Sequence, residues 1–191
     1  MTPALYSADI SSLRPEAFPA RGRTLAHDAA LRLLKYAVES EFGVSPPRIE
    51  PDANGKPSFP DCPDIHFSYS HTRGRVLCAV SDSPVGADIE AHREVSGAAV
   101  RRLMSDCGDF DFFELWTLRE SLFKLRGTGS LLTDKFLRRS SEIIAPEPGI
   151  FCRVYDCISG CTAAVASGYS DLPVGITEVH AKILFPDMQQ I

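Results

Sequence analysis

The segment Ala79-Val80-Ser81-Asp82-Ser83-Pro84-Val85-Gly86-Ala87 returns in looser form as Ala164-Val165 followed by Ser170-Asp171-Leu172-Pro173-Val174-Gly175-Ile176. Both are an apolar run, a turn containing Ser-Asp-x-Pro, and a second run opening on Val-Gly. The second turn is the longer. Each copy follows a long helical pattern by way of other strand patterns, which favours two similar halves; the alternative is chance recurrence of a common hairpin pattern. At 191 residues the chain is one ordinary domain or two small ones, long enough for a real core.

Around and between the copies the local patterns are readable. Leu25, Ala29, Leu33, Ala37 and Val38 recur near a 3.6-residue period and predict a helix over 24–42, stopped by Gly43. Pro46-Pro47 and Asp52-Ala53-Asn54-Gly55 mark loops. Strands are predicted over 65–68, 76–80 and 85–89, with Ser70-His71-Thr72-Arg73-Gly74 joining the first two. A second helix fits 109–125, with Phe112, Phe113, Trp116, Leu122 and Phe123 as apolar surface and Gly127 as its end. Trp116 reads as core. The stretch 127–149 reads as loop with a short helix, and strands follow near 150–155, 162–166 and 174–183. The fold class expected is α+β, each half a long helix on a small, mainly antiparallel sheet, related by a pseudo-twofold. The halves are 1–87 and 88–191, with the active site in the cleft between them.

Three acids stand out within this frame. Asp88 and Glu90, two apart on an extended strand, point to the same side. Glu120 and Lys124, four apart on the second helix, share a face. If strand and helix meet, three carboxylates converge beside a lysine, an arrangement suited to Mg²⁺ holding a substrate phosphate. The plainer alternative is a solvated strand face and a surface i,i+4 ion pair. The acids are not repeated in the second copy, where Thr177 and Val179 correspond to Asp88 and Glu90.

Net charge is −5 and the pI about 5.5, which argues against nucleic-acid binding through a broad basic field. No window has the apolar length of a membrane span, and Met1 to Asp9 lacks the pattern of a signal peptide, so a cytoplasmic protein is expected. The six cysteines contain no Cys-x-x-Cys pair and read as free thiols; a zinc site from Cys152, Cys157 and Cys161 has the wrong spacing for a zinc knuckle. His27, His92 and His180 show no partner pattern.

Four blocks, taken in order, resemble the 4′-phosphopantetheinyl transferases, in particular the larger class built as a pseudodimer in one chain. Asn54-Gly55-Lys56-Pro57 looks like the family's Gly-Lys-Pro element. His66-Phe67-Ser68-Tyr69-Ser70-His71-Thr72 looks like its Phe-Asn-x-Ser-His-Ser block. Gly86-Ala87-Asp88-Ile89-Glu90 matches Gly-Val-Asp-Ile-Glu, and Trp116 through Gly129 matches Trp-Thr-x-Lys-Glu-Ser-x-x-Lys-x-x-Gly-x-Gly. The resemblance implies transfer of the 4′-phosphopantetheine arm from coenzyme A to a serine of an acyl- or peptidyl-carrier protein, leaving adenosine 3′,5′-bisphosphate.

It also implies roles for residues. Asp88, Glu90 and Glu120 would ligate Mg²⁺, with Glu120 or a metal-bound water as base. Lys124 would reach the α-phosphate and stabilise the leaving group. His71 and Ser70 would bind a coenzyme A phosphate, the 3′-phosphate in the case of His71, and Lys56 with Pro57 the adenine or 3′-phosphate region. Arg119, which replaces the family's usual lysine, would clamp a phosphate without shuttling a proton. Arg21 and Arg23 have no clear positional match. Ser68 replaces the block's Asn and Thr72 its last Ser. Arg101-Arg102 and Arg138-Arg139 are candidate carrier docks, and a monomer is expected because the second half takes the place of a partner subunit. Two other readings remain: a coenzyme A or carrier-protein binding module that has lost turnover, favoured only by Arg119, and an unrelated Mg²⁺ phosphohydrolase.

Overall fold

A computed structural model of the chain describes residues 1–13, 24–104 and 109–188. Arg21, Arg23 and Cys107 lie outside the described residues. In chain order the elements are β1 (Ala4–Asp9), α1 (Leu25–Phe42), β2 (Glu50–Pro51), β3 (Pro57–Ser58), β4 (His66–Thr72), β5 (Arg75–Ser81) and β6 (Val85–Ala91). There follow α2 (Gly97–Met104), α3 (Phe112–Arg126), β7 (Leu137–Arg139), β8 (Glu142–Ile144), β9 (Phe151–Tyr155), β10 (Cys161–Ser167), β11 (Thr177–Glu178) and α4 (Ala181–Leu184).

The two long helices form where the sequence punctuates them. Thr24 caps α1 by accepting from the His27 N–H, and Gly43 closes it with a left-handed φ of 66° that L side chains resist. Asp111 and Glu114 form a reciprocal capping box at the start of α3, and Gly127 ends that helix the same way.

One sheet has the order β11-β1-β5-β4 and a second the order β6-β10-β9-β8-β7. Period-two alternation assigns their faces. Val76, Cys78 and Val80 of β5 join Leu33, Ala37 and Val38 of α1 in one core cluster. Leu77 and Ala79 face the other way, onto Val85, Ala87 and Ile89 of β6 and Ala163 and Val165 of β10, so the two sheets share a core. On the far side Ala164 and Ala166 of β10 pack with Leu115, Leu118 and Leu122 of α3. The strand order β1-β5-β4 around α1 is matched by β6-β10-β9 around α3.

Four sequence expectations change. The stretch 174–183 is not one strand: it is irregular up to Thr177, then the two-residue β11, then α4. The stretch 127–149 carries the β7–β8 hairpin rather than a helix. Strand β1 and helix α2 appear where none was expected. Ser70, His71 and Thr72, expected in the turn joining two strands, are instead the last three residues of β4.

Candidate active site

Gly86 lets the site form. A Cβ at that position would lie 1.9 Å from the Ser121 carbonyl oxygen and 2.5 Å from the Leu125 nitrogen, so α3 rests directly on the backbone of β6. Thr117 and Ser121 help keep this face of α3 thin, each turning its hydroxyl back onto its own helix: Thr117 onto the Phe113 carbonyl at 2.8 Å, Ser121 onto that of Leu118 at 2.9 Å. With Val85, Ala87 and Ile89 turned into the inter-sheet core, alternation turns Gly86, Asp88 and Glu90 toward α3.

Asp88 is only 4% exposed. Its Oδ1 accepts from the Ser70 hydroxyl and from the Lys124 ammonium, both at 2.6 Å, while Oδ2 is buried with no hydrogen-bond partner. Burial pushes its carboxyl above the ordinary carboxylate range and Glu90 adds to the effect, with Lys124 and Ser70 pulling the other way. Glu120, one turn before Lys124, is also raised, first by burial and then by the charge of Asp88, with a smaller contribution from Glu90. Glu90 pairs with Arg93 at 2.6 Å. Strand and helix thus bring Asp88, Glu90, Glu120 and Lys124 into mutual electrostatic reach. Among the described residues no three His, Cys, Asp or Glu side chains stand together as a preformed metal cage. The ammonium of Lys124 takes the Asp88 oxygen instead.

A cleft of about 260 Å³ adjoins this cluster, lined by Asn54, Lys56, Pro57, Tyr69, Phe123, Lys124 and their neighbours. Lys56 runs along it, but its ammonium donates to the carbonyls of Val85 at 3.3 Å and Leu125 at 3.2 Å, tying the start of β6 to the end of α3. Burial lowers its pKa, opposed by Asp52. Pro57 opens β3 beside it. His71 is exposed at the end of β4, on the side away from Ser70 and Asp88. Partial burial of its ring, with His27 and Lys124 near, holds its pKa below the usual imidazole value.

Arg119 does not join the cluster. It is 3% exposed and donates to the carbonyls of Asp134 at 3.0 Å and Leu103 at 3.1 Å, fastening α2 and the Asp134 loop beyond α3 to this helix. The phosphate-clamp expectation is corrected accordingly: Arg119 lies five residues before Lys124, about 140° around the helix. Arg138, offered as a dock, is engaged by Glu114 at 2.6 Å and covers the Phe110 ring, whereas Arg101 and Arg102 stay exposed on α2. Trp116 is half-buried and lines an apolar groove with Phe112, Leu103 and Leu132. His92 bonds Thr162 at 2.8 Å, His27 packs edge-on to Tyr69, and His180 caps α4. Cys152 packs toward α3 and Cys161 into the inter-sheet core, on opposite faces of one sheet.

Two contributions were missed in the sequence. Ser68 accepts from the Ala87 N–H at 3.0 Å, and Thr72 accepts from the Ala91 N–H at 3.0 Å. The sequence marked both positions only as departures from the block, and with 70–74 read as a turn nothing signalled their bonds to β6.

No family model matches the chain. It is 30% identical over 177 residues to the 4′-phosphopantetheinyl transferase Sfp of Bacillus subtilis (strain 168), covering 82% of this chain and 79% of that protein. The 4′-phosphopantetheinyl transferase psf-1 of Bacillus pumilus is 31% identical over 125 residues, 58% of this chain and 54% of the relative. The 4′-phosphopantetheinyl transferase gsp of Aneurinibacillus migulanus is 40% identical over 78 residues, 35% of this chain and 33% of the relative.

Proposed function

The chain belongs to the 4′-phosphopantetheinyl transferases, and from that membership we propose that it moves the arm from coenzyme A to a serine of an apo acyl- or peptidyl-carrier protein. The reaction proposed is Mg²⁺-dependent and releases adenosine 3′,5′-bisphosphate. The observation that carries the reading is the Asp88 cluster: a buried carboxylate with one orphaned oxygen, two more acids within its field, and a lysine on its other oxygen.

The oxygen-only donor set fits a hard divalent cation, and Asp88, Glu90 and Glu120 would hold it. When bound, the cation supplies charge neutralisation at the pyrophosphate. Lys124 would then leave Asp88 for the α-phosphate, where charge grows as the bond to the leaving nucleotide breaks. The carrier serine oxygen forms the new bond to the β-phosphorus, and its proton goes to Glu120 or to water. His71 would bind a coenzyme A phosphate at the open end of β4. Lys56 and Pro57 would flank the nucleotide through the cleft wall, not through a free ammonium. Ser70 would hold Asp88 in place.

The matched strand orders around α1 and α3 support halves related by a pseudo-twofold, over 1–87 and 88–191, acting as a cytoplasmic monomer with a single asymmetric site. Among the described residues no helix is long and apolar enough to cross a membrane.

The test is incubation with coenzyme A, Mg²⁺ and apo carrier proteins, read by intact mass. Added phosphopantetheine on a carrier is expected. No addition across several acyl- and peptidyl-carriers overturns the reading, and acceptor-independent release of phosphate from coenzyme A points to a phosphohydrolase.

A further inference from the structure

We infer that Ser68 and Thr72 are positioning residues for the acid pair on β6, clipping that strand on either side of Asp88 and Glu90 so that both carboxylates meet a divalent cation in one register. The inference rests on the metal-dependent reading above. Strands β4 and β6 lie in different sheets and share no backbone ladder. The ladder between β6 and β10 orients β6 within its own sheet. It leaves β6 unregistered against β4, the strand that carries Ser70 and His71.

Side-chain hydroxyls take over that task. Ser68 Oγ accepts from the Ala87 N–H at 3.0 Å and donates to the Ala87 carbonyl at 3.4 Å. Thr72 Oγ1 accepts from the Ala91 N–H at 3.0 Å. Both clips span 19 residues, so β4 and β6 run side by side in the same direction and in step. Ser70, midway between them, donates to Asp88 Oδ1 at 2.6 Å. Residues 68, 70 and 72 share one face of β4, while Phe67 and Tyr69 turn into the α1 core. A slip of one residue between β4 and β6 would carry Ser70 off Asp88 and set Asp88 and Glu90 at the wrong height against His71. Small hydroxyls suit the role because they reach a neighbouring backbone without spacing the strands apart. These two positions are also where the block departs from the pattern it resembles, and both departures keep a group able to accept an N–H.

The test compares Thr72→Val, Thr72→Ser and Ser68→Ala with the unaltered chain. Mn²⁺ binding is read by electron paramagnetic resonance with coenzyme A and no carrier. Mg²⁺ dependence of transfer is read with a carrier, and melting is read without metal. Thr72→Val, which keeps the side chain's shape, should weaken Mn²⁺ binding and raise the half-saturating Mg²⁺ concentration by about tenfold, with Thr72→Ser restoring both. Ser68→Ala should act in the same direction, and if it does not fold the Thr72 pair decides. Unchanged Mn²⁺ binding and Mg²⁺ dependence in Thr72→Val, whatever its melting temperature, overturns the inference and leaves the transferase reading standing. An unaltered chain that binds no Mn²⁺ with coenzyme A overturns the metal-dependent reading and the inference with it.

Discussion

The two Val-Gly crossings share a sequence pattern and differ in what packs around them. At the first, Val85 is fully buried and Gly86 lies under the backbone of α3. At the second, Val174 is 92% exposed and a Cβ on Gly175 would meet nothing within 4 Å. The first runs straight into seven paired residues of β6, while the second regains a strand only at Thr177, for two residues beside β1. The same local signal thus yields a buried, acid-bearing strand where a helix covers it and a surface loop where none does. Asymmetry of burial accompanies asymmetry of chemistry: Asp88 and Glu90 sit at the covered crossing, Thr177 and Val179 at the other.

The largest expected difference is in turnover. Asp88→Ala and Glu120→Ala should each lower carrier loading by at least about a hundredfold, because charge on the pyrophosphate loses its partner. Thr177→Ala, at the corresponding place of the second crossing, should load carrier at the unaltered rate. Quantitative mass spectrometry over a time course measures both. Full activity in Glu120→Ala would remove the acid set from the mechanism, and a comparable loss in Thr177→Ala would make the two crossings functionally alike.

Next comes stability. Gly86→Ala sets a methyl against helix backbone that has no flexible end to yield, and should cost at least about 1–3 kcal/mol. That corresponds to a melting temperature lower by a few degrees for a chain of this size. Gly175→Ala points into open space and should stay within about 0.5 kcal/mol of the parent. Thermal unfolding of the two variants side by side separates them, and equal costs would mean that α3 does not rest on β6 as described.

The crossings also show what the sequence could carry. Helices α1 and α3 were legible because their apolar periods stop at Gly43 and Gly127, while the Thr24 cap and the Asp111–Glu114 box set starts that periodicity placed earlier, at 24 and 109. The β7–β8 hairpin was not, because Ser140 takes the positive φ of 54° where a Gly or Asn would have advertised a turn. Strand β1 depends on partners far along the chain, β5 and β11, and helix α2 on its packing against α3. The second Val-Gly run read as a strand from its residues, and only the missing cover shows otherwise. In the site, spacing alone exposed Asp88, Glu90, Glu120 and Lys124. Arg119 and Lys124 are both helix cations in the sequence, and only the packing of α2 and the Asp134 loop sorts one to the core and the other to the acids. Ser68 and Thr72 were silent because their partners belong to another sheet.

The smallest expected effect concerns charge at the covered crossing. Burial and neighbouring carboxylates raise the pKa of Glu120, so ionising it costs the folded chain more than the unfolded one. The stability this group contributes is fully present below the ordinary carboxylate pKa, about 4, and is lost as pH rises through the raised value. Asp88 is raised in the same direction. Glu120→Gln removes the titration, so without metal it should melt higher than the parent at neutral pH and converge with it toward about pH 4. Adding Mg²⁺ at neutral pH should raise the melting temperature of the parent more than that of Glu120→Gln, since the cation relieves repulsion that the variant lacks. Thr177 and Val179, which stand at the places of Asp88 and Glu90 in the second crossing, do not titrate, so Thr177→Ala should track the parent at every pH. A Glu120→Gln profile parallel to the parent from pH 4 to 8 would show that the three acids do not share a field, and with that the chemical asymmetry between the crossings would rest on turnover alone.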